Sequence, residues 1–368
     1  MKSIAILYAS EGTGHRSAAE ALRDRFLAEH PNGRVLCRDV LDYIPKILHK
    51  TVSDGYLLMA RYAPWAWGWF YWSSDRPSFQ SGCFDKIHDA ICAGYVPKIE
   101  ADLYAAGVEA VYFTHYFAAA NIAASNRDKF PVYYVNTDFV SHRFQRNKIF
   151  TASFAASPVA VKQHTDEGIN NVFDTGIPIA PKYANLPSRA HARQILGFRD
   201  DDRIIMVSGG GIGAGSVTEA AESLALRKEL KTVVICGSNK LLFGRLTKKY
   251  RGMENIRIVG FVPDMENYYA ASDIGIMKPG GLSLSEAMAS RLPLLLMDPI
   301  PGQEQLNMDY VCGLGAALPL DVPKNAAEAA SALLNDRAKL SAVHKEIEKI
   351  SRPDAAGEIL GKGECIPK

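Results

Sequence analysis

Short apolar runs alternate with helix-patterned stretches along the whole chain. Apolar runs of strand length occur at residues 3–9, 34–39, 110–114, 132–135, 203–207, 232–236, 256–259, 274–277 and 294–297. Helical spacing of apolar residues falls between them, at residues 16–29, 87–103, 188–196, 215–228 and 282–291. Continuous apolar runs separated by helices are typical of strands buried on both faces of a parallel sheet. The pattern predicts an α/β protein with doubly wound parallel sheets.

The alternating pattern starts twice, each time with a strand and a glycine-rich turn. A stretch broken by Gly176, Pro178, Pro181 and Pro187 separates the two halves and is predicted to be a linker. The 368 residues are enough for two domains of ordinary size. We therefore predict an N-terminal domain over residues 1–184 and a C-terminal domain over residues 185–344.

Composition narrows the classes of function. The net charge of +2 does not indicate a nucleic-acid partner. The six cysteines show neither C-x-x-C pairs nor metal-ligand spacing, so we expect reduced thiols in a cytosolic protein. Residues 1–8 are expected to form a first strand, not a signal peptide. Since no run of about 18 apolar residues occurs, we expect no membrane-spanning helix.

Candidate chemistry is densest between residues 276 and 307. A buried strand ends at Lys278 and Pro279, and Gly280 and Gly281 then precede a helix that includes Leu282, Ser283 and Glu286. Paired glycines allow close backbone approach, and free N–H groups at a helix start favour phosphate. Glu286 is suited to sugar hydroxyls, and so are Gln303 and Glu304, which are predicted to lie on the loop after the next strand. Phosphate, ribose and hexose groups together indicate a nucleotide-sugar site.

A second glycine loop, S-G-G-G-I-G-A-G at residues 208–215, follows a predicted strand. Its N–H groups, including those of Gly210 and Gly211, are candidates for a pyrophosphate. G-x-G spacing leaves an NAD site open as an alternative. The strand at residues 232–236 ends in Gly237 and Ser238, without the acidic residue that an NAD site requires, which argues against that alternative.

Two motifs resemble a known family. K-P-G-G-L-S-L-S-E-A from Lys278 and P-G-Q-E-Q-L-N from Pro301 are similar to the donor-binding signature of GT-B glycosyltransferases. Within that group they resemble monogalactosyldiacylglycerol synthases and processive diacylglycerol glucosyltransferases. An ordinary βαβ crossover with structural glycines is the alternative for a lone Gly-Gly. The resemblance implies a GT-B fold, with two Rossmann-like domains facing a cleft, and a terminal helix of about residues 345–368 packed back on the first domain.

The resemblance also implies an activity. It is the inverting transfer of a hexose, glucose or galactose, from a UDP-sugar to the hydroxyl of diacylglycerol or a related lipid. Gly209 to Gly213 and the helix start at Gly280 would stabilise the leaving pyrophosphate, Glu286 would bind ribose, and Gln303 and Glu304 the hexose. Phe261 and Val262 would contact the uracil.

The start of the chain carries the implied base. S-E-G-T-G-H-R-S-A-A, residues 10–19, resembles the family's N-terminal motif, in which the histidine after Gly14 faces the acceptor. That residue is His15, and a neutral imidazole at a helix N-terminus is able to accept a proton near pH 7. A capping role is the alternative for His15.

Further acceptor-side residues depart from the family pattern. T-H-P-F of the family is T-H-Y-F at residues 114–117, and the H-x-x-W that follows T-D-F has Gln145 in place of the aromatic residue. Asp138 of T-D-F lies at a predicted strand end, where its carboxylate would orient His15 or act as the base itself. A cap or turn role is the alternative for Asp138, and His115 and His142 are weaker candidates.

Aromatic residues crowd residues 56–72, and all four tryptophans lie at or after Trp65. Lys46, His49, Lys50, Arg61 and Arg76 flank them. Aromatics beside basic residues suit a membrane interface or a lipid groove, and packing on the domain core is the alternative. The resemblance favours peripheral contact with the inner face of the cell membrane, with the protein otherwise cytoplasmic.

The D-x-D spacing at Asp200–202 is interpreted as a solvated turn, so we predict no metal and no cofactor beyond the UDP-sugar. Three alternatives to the implied activity remain open at this point. They are a lipid-linked N-acetylglucosaminyltransferase of cell-wall synthesis, a UDP-sugar epimerase, and a UDP-sugar sensor without turnover.

Overall fold

The structure of the protein is a computed structural model. It describes residues 1–10, 13–45, 59, 63–75, 92, 94–211, 213 and 215–366. Contacts divide the chain into two compact units. The first comprises Met1–Pro181, Ile300–Gln303 and Asp354–Lys368, and the second Lys182–Pro299 and Glu304–Pro353. The sequence predicted the divisions at residues 184 and 345.

The first unit is built around a six-stranded parallel sheet of order β2-β1-β3-β4-β5-β6. Its strands are β1 Ser3–Tyr8, β2 Arg34–Asp39, β3 Ala110–Phe113, β4 Val132–Val135, β5 Ala152–Ala155 and β6 Val172–Asp174. Its helices are α1 Thr13–Glu29, α2 Pro64–Asp75, α3 Val96–Ala106, α4 Ala119–Ser125, α5 Pro158–Asp166 and, at the end of the chain, α14 Ala355–Cys365. Short 3-10 helices cover Val40–Tyr43 and Arg143–Gln145.

Both faces of this sheet are buried, which explains why its strands are apolar without alternation. One face packs on α3 and α4 around Leu7, Phe113 and Ile122. The other packs on α1 and α14 around Leu22, Phe26 and Ile359. The predicted helix at residues 87–103 is observed only in part, as α3, because residues 87–91 lie outside the described residues.

The second unit contains another six-stranded parallel sheet, of order β12-β11-β10-β7-β8-β9. Its strands are β7 Arg203–Ser208, β8 Leu230–Ile235, β9 Ile256–Val259, β10 Ile274–Met277, β11 Leu294–Leu296 and β12 Leu318–Pro319. Its helices are α6 Arg189–Leu196, α7 Val217–Ala225, α8 Lys240–Lys249, α9 Met265–Ala271, α10 Gly281–Ala289, α11 Gln303–Gly313, α12 Ala326–Asn335 and α13 Arg337–Ile350. Two 3-10 helices, Pro181–Tyr183 and Pro323–Asn325, complete the elements.

The predicted fold class is confirmed by the two parallel sheets with helices around them. The strand at residues 256–259 lies at an edge of its sheet. Asp39, the acidic residue at the end of β2, accepts a hydrogen bond from the Leu41 N–H at 2.9 Å and caps a 3-10 helix. Asp39 is therefore a structural residue in this fold.

Candidate active site

His15 lies in the first turn of α1, near the carboxyl end of β1. Its Nδ1 is 2.7 Å from the backbone oxygen of Thr114 and 3.0 Å from the hydroxyl oxygen of Thr137. Since a carbonyl oxygen only accepts, Nδ1 carries the proton and Nε2 has the free lone pair. Two neighbouring strand ends thus hold the imidazole in the tautomer that a base acting through Nε2 requires.

Burial lowers the pKa of His15, because desolvation disfavours the imidazolium. The nearby Asp138 carboxylate and the bond to the Thr114 carbonyl act in the opposite direction. Asp138 is half-buried in the loop after β4. The result is an imidazole that is neutral at pH 7, with a carboxylate close enough to stabilise its charged form.

The two other histidines near this site are held by local contacts. His115 is buried, accepts from the Phe117 N–H at 3.3 Å and packs edge-on against His15. His142 caps the Arg143–Gln145 helix, and the Gln145 side chain completes a capping box by accepting from the His142 N–H at 2.9 Å. Gln145, which replaces the family's aromatic residue, therefore has a structural role.

The glycine loop after β7 has an unusual backbone. Gly210, Gly213 and Gly215 have φ of 72°, 62° and 89°, and the Gly213 N–H bonds the Gly210 oxygen at 3.0 Å. The loop after β8 stabilises this turn, since the Ser238 N–H donates to the Gly211 oxygen at 2.9 Å. The Gly210 N–H also donates to the Ser208 side-chain oxygen at 3.2 Å, so hydrogen bonds within the protein fix the conformation of this loop.

Sequence reasoning missed two charged residues beside this loop. The Asp298 carboxylate accepts from the Ser216 N–H and so occupies the start of α7. Asp298 has a φ of 47°, a strained conformation for a residue with a side chain. Lys278 forms an ion pair with Glu304 at 3.1 Å, and both side chains are mostly buried. The positive φ of Asp298 and the pairing across 26 residues have no signature in the sequence.

The start of α10 matches the predicted phosphate site. Gly280 is its N-cap, with φ of −69° and no side chain to cap the helix, and Gly281 is the first helical residue. Leu282 and Ser283 complete the first turn and are half-buried. The amide of Asn307 donates to the Pro279 oxygen at 3.2 Å and fixes the preceding turn. The first N–H groups of α10 are therefore available to an anion.

Glu286 lies one turn further along α10, against Tyr183 and Tyr269. The Tyr269 hydroxyl donates to Oε2 of Glu286 at 3.4 Å. Burial raises the pKa of Glu286 to about 7, although hydrogen bonds from Tyr183 and Tyr269 and the charge of Lys182 oppose the rise. A carboxylate with this pKa changes its charge near neutral pH.

Since the resemblance implies that Glu286 binds ribose, we expect the affinity for a UDP-sugar to depend on this titration. Ribose hydroxyls that donate to Glu286 bind its ionised form, so affinity should rise with pH through about 7. Between pH 6 and pH 8 we expect a gain of up to roughly tenfold, measured by calorimetry. Glu286→Gln should bind more weakly with a flat profile. An unchanged slope in that variant would contradict the assignment.

Gln303 and Glu304, which are neighbours in the chain, have different partners. Both lie at the start of α11 and not on a loop as predicted. The side-chain oxygen of Gln303 accepts from the indole N–H of Trp67 at 3.3 Å. Glu304 pairs with Lys278 and approaches Gly280. Of the predicted uracil contacts, Phe261 is 71% exposed and Val262 is half-buried, at the carboxyl end of β9.

The four tryptophans divide between two sides of α2. Trp65, Trp69 and Trp72 are 77%, 71% and 41% exposed. At positions i, i+4 and i+7, they form a single stripe on the helix. Trp67 is half-buried. The basic residues predicted to flank the cluster, Lys46, His49, Lys50, Arg61 and Arg76, lie outside the described residues, as does most of residues 56–62.

Among the described residues, no group of three or more potential metal ligands occurs. Asp200–202 form an exposed turn in which Arg199 pairs with Asp201. Of the helices in the described part of the chain, none is long and apolar enough to cross a bilayer.

Comparison with known proteins gives consistent results for both units. Residues 15–179 match the family model for monogalactosyldiacylglycerol (MGDG) synthase, and residues 188–350 match the model for glycosyl transferases group 1. A solved structure, MurG of Acinetobacter baumannii, superposes with a TM-score of 0.61 at 15% identity over 99% of each chain. The fold is GT-B. The chain is similar to GT-B glycosyltransferases of the monogalactosyldiacylglycerol synthase and processive diacylglycerol glucosyltransferase type.

The names of two curated relatives agree with the match of the N-terminal residues. A processive diacylglycerol beta-glucosyltransferase of Bacillus mycoides is 31% identical over 234 residues, 62% of this chain and 60% of the relative. One of Bacillus cytotoxicus is 25% identical over 97% of this chain and 92% of the relative. The chain thus spans about three fifths of the length of the first of these relatives.

Proposed function

We propose that this GT-B protein transfers a hexose, glucose or galactose, from a UDP-sugar to the hydroxyl of diacylglycerol, with inversion at the anomeric carbon. The observation that carries the proposal is His15, whose Nδ1 is bound by Thr114 and Thr137 so that Nε2 is the basic atom. The match of the surrounding residues to the MGDG synthase model supports the choice of a lipid hydroxyl as its substrate.

The proposed reaction uses a single displacement. Nε2 of His15 takes the proton of the acceptor hydroxyl while that oxygen bonds to the anomeric carbon. The bond from the anomeric carbon to the diphosphate breaks on the opposite face, and UDP leaves with the bonding electrons. His15 then returns its proton to solvent. Asp138 stabilises the imidazolium that forms in between.

The second unit would hold the donor. The N–H of Gly211 in the glycine loop and those of Gly281 and Leu282 at the α10 start would receive the negative charge of the diphosphate. Lys278, two residues before Gly280, is mostly buried and paired with Glu304, so its charge is balanced in the protein without a ligand. Electrostatic preorganisation by the N–H groups would take the place of a metal ion.

The remaining donor residues would be Glu286, Phe261 and Glu304 of the second unit and Gln303 of the first. Glu286, beside Tyr183 and Tyr269, would accept hydrogen bonds from the ribose hydroxyls. Phe261, exposed after β9, would stack on or flank the uracil. Gln303 and Glu304 would contact the hexose hydroxyls.

The names of both curated relatives and of the N-terminal model refer to glycosylated diacylglycerol. They favour this activity over a lipid-linked N-acetylglucosaminyltransferase, an epimerase and a non-catalytic sensor. The exposed tryptophan stripe fits the same choice, because an epimerase of a soluble sugar nucleotide has no use for a lipid-facing surface.

A donor screen tests the proposal. The purified protein is incubated with diacylglycerol vesicles, a chelator, and UDP-glucose, UDP-galactose or UDP-N-acetylglucosamine in separate reactions. We expect lipid-dependent release of UDP from one of the two hexose donors despite the chelator. Release from UDP-N-acetylglucosamine alone, or release that does not depend on the lipid, would contradict the proposal.

We also propose that Trp65, Trp69 and Trp72 bind the membrane surface peripherally, on its cytoplasmic side. Indole rings are favoured at the boundary between water and acyl chains, and three on one helix face are able to enter it together.

Replacing all three tryptophans by serine should weaken binding to phosphatidylglycerol-containing vesicles at least ~tenfold in a sedimentation assay, because three large apolar contacts are lost. Turnover of detergent-dispersed diacylglycerol should be retained. Leu226→Ser, which removes an isolated exposed side chain of the second unit, is the control. Unchanged vesicle binding in the triple variant would rule out this surface.

A further inference from the structure

The side of α2 opposite the tryptophan stripe seats a short segment from far along the chain. This segment is Ile300–Gln303, which the contacts assign to the first unit. It contains the Pro-Gly-Gln of the motif that the family resemblance connects with the donor sugar. The inner side of α2 presents Trp67, Gly68 and Tyr71 to it, and Gly68 and Tyr71 are buried.

Two glycines allow the close contact between helix and segment. A Cβ atom on Gly68 would lie 2.7 Å from Cβ of Pro301, and one on Gly302 would lie 2.6 Å from Cγ of the Tyr71 ring. Real Cβ atoms do not approach other carbons so closely. Gly302 also has a φ of 102°, which disfavours any other residue. The two surfaces are therefore fitted to each other at backbone distance.

A polar contact lies next to these glycines. The indole nitrogen of Trp67 is 3.3 Å from the side-chain oxygen of Gln303. An indole N–H is only a donor, so the amide atom that faces it must be the oxygen. The amide NH₂ of Gln303 consequently points away from Trp67. The contact with Trp67 therefore fixes which of the two amide groups of Gln303, the oxygen or the NH₂, faces away from α2.

We propose that Trp67 is a positioning residue for the donor sugar. By accepting from Trp67, the Gln303 amide is fixed with its NH₂ as the group that meets the hexose, where it donates to a sugar hydroxyl oxygen. Gly68 and Gly302 keep the segment close enough for this contact. Trp67 touches neither lipid nor sugar, and so differs in role from the three exposed tryptophans of the same helix.

This inference rests on the proposed function in one respect, the contact between Gln303 and the hexose. Binding measurements test the inference separately from the proposed function, because they do not require turnover. UDP has the nucleotide and diphosphate without the hexose, so the ratio of the dissociation constants for UDP and UDP-hexose isolates the sugar contact.

The test compares the wild type with Trp67→Phe, which keeps an aromatic ring and removes the N–H donor. Calorimetry measures the affinity for UDP and for the preferred UDP-hexose. The affinity for UDP-hexose should fall roughly three- to tenfold, the effect of one or two lost hydrogen bonds, while that for UDP changes less than about twofold. Trp67→Phe combined with Gln303→Ala should bind UDP-hexose no more weakly than Gln303→Ala alone, since both act through one contact.

Gly68→Ala provides a second, independent variant in which Trp67 is intact. Its methyl group must displace Pro301 and with it Gln303, so the UDP-hexose affinity should fall while the UDP affinity is retained. Gly361→Ala is the matched control, because a Cβ there meets nothing within 4 Å in the same unit. If Trp67→Phe does not fold, Gly68→Ala decides the question.

A spectroscopic measurement follows Trp67 in the wild-type protein and uses the variant only to assign the signal. With ¹⁵N-labelled tryptophan, the four indole N–H groups give four signals, and the one absent in Trp67→Phe belongs to Trp67. It should shift saturably with UDP-hexose and much less with UDP. Equal effects of both variants on UDP and UDP-hexose, or no effect on either ligand, would overturn the inference. A selective loss of UDP-hexose binding in a protein that makes no glycolipid would uphold the inference and reject the proposed reaction.

Discussion

Replacing His15 by alanine is expected to lower kcat for glycolipid formation by about 10²- to 10⁴-fold, the usual contribution of a general base. The dissociation constant for UDP-hexose should stay the same, because His15 is not among the residues proposed to hold the donor. Steady-state rates with detergent-dispersed diacylglycerol, together with calorimetry of donor binding, measure both quantities. A loss of rate without a loss of donor binding is characteristic of a group that acts on the acceptor hydroxyl.

The pH profile adds a test with a definite sign. Burial lowers the pKa of His15 below its ordinary value. Since the neutral imidazole is the active form, kcat/KM should rise with pH through that lowered pKa and be lost in acid. The Asp138 carboxylate raises the pKa of His15, so Asp138→Asn should move the acid limb to lower pH.

His191→Ala, at an exposed histidine of α6, is the control for both measurements and should leave rate and profile intact. If His15→Ala retained the full rate while Asp138→Asn lost it, the base would be Asp138. In that case His15 would only cap the helix and pack on Thr114.

The second large effect is expected for Gly213→Ala in the glycine loop. A Cβ atom there would lie 2.0 Å from the backbone oxygen of Cys236 and 2.8 Å from Cβ of Asn239. The φ of 62° adds conformational strain of roughly 1–2 kcal/mol. Because backbone atoms must move to relieve the clash, the total loss of stability should be roughly 3 kcal/mol or more. UDP affinity should fall with it, since the loop N–H groups would be displaced.

Gly252→Ala separates the two causes. Gly252 has a φ of 81°, but a Cβ there meets nothing within 4 Å, so only conformational strain is expected. Thermal unfolding of both variants gives the comparison, and Gly213→Ala should have a Tm lower by several degrees than Gly252→Ala. Equal Tm values and an unchanged UDP affinity would show that the loop is neither tightly packed nor involved in binding.

Much of the fold could be predicted because both sheets are parallel and buried on both faces. Strands such as Ala110–Phe113 and Ile274–Met277 are then uninterrupted apolar runs, and Pro279 follows the end of the second. Gly280 and Gly281 similarly predicted the start of α10, because glycine allows the local backbone geometry found there. His15 could be predicted only from the resemblance to a family, because its supporting contacts come from residues about 100 positions away.

The rest depends on contacts that composition does not encode. Asp298 occupies the start of α7 because β11 and β7 both flank β10, which no local pattern reports. Gln303 and Glu304 were expected to act together on the hexose, yet they contact different partners, Trp67 and Lys278. The aromatic segment could be interpreted as core or as lipid-facing. In the described part, α2 has an exposed side and a buried side, because helical spacing places Trp65 and Trp67 on different sides.

The most direct test of the central claim is the structure of the lipid product. The protein is incubated with diacylglycerol vesicles and the UDP-hexose that supports UDP release, and the extracted lipids are analysed by mass spectrometry and proton NMR. A hexosyl-diacylglycerol with a β-linkage, formed in equal amount to UDP, is the predicted result. Recovery of unmodified diacylglycerol beside free hexose or an epimerised UDP-sugar, or an α-linked product, would contradict an inverting transfer to the lipid.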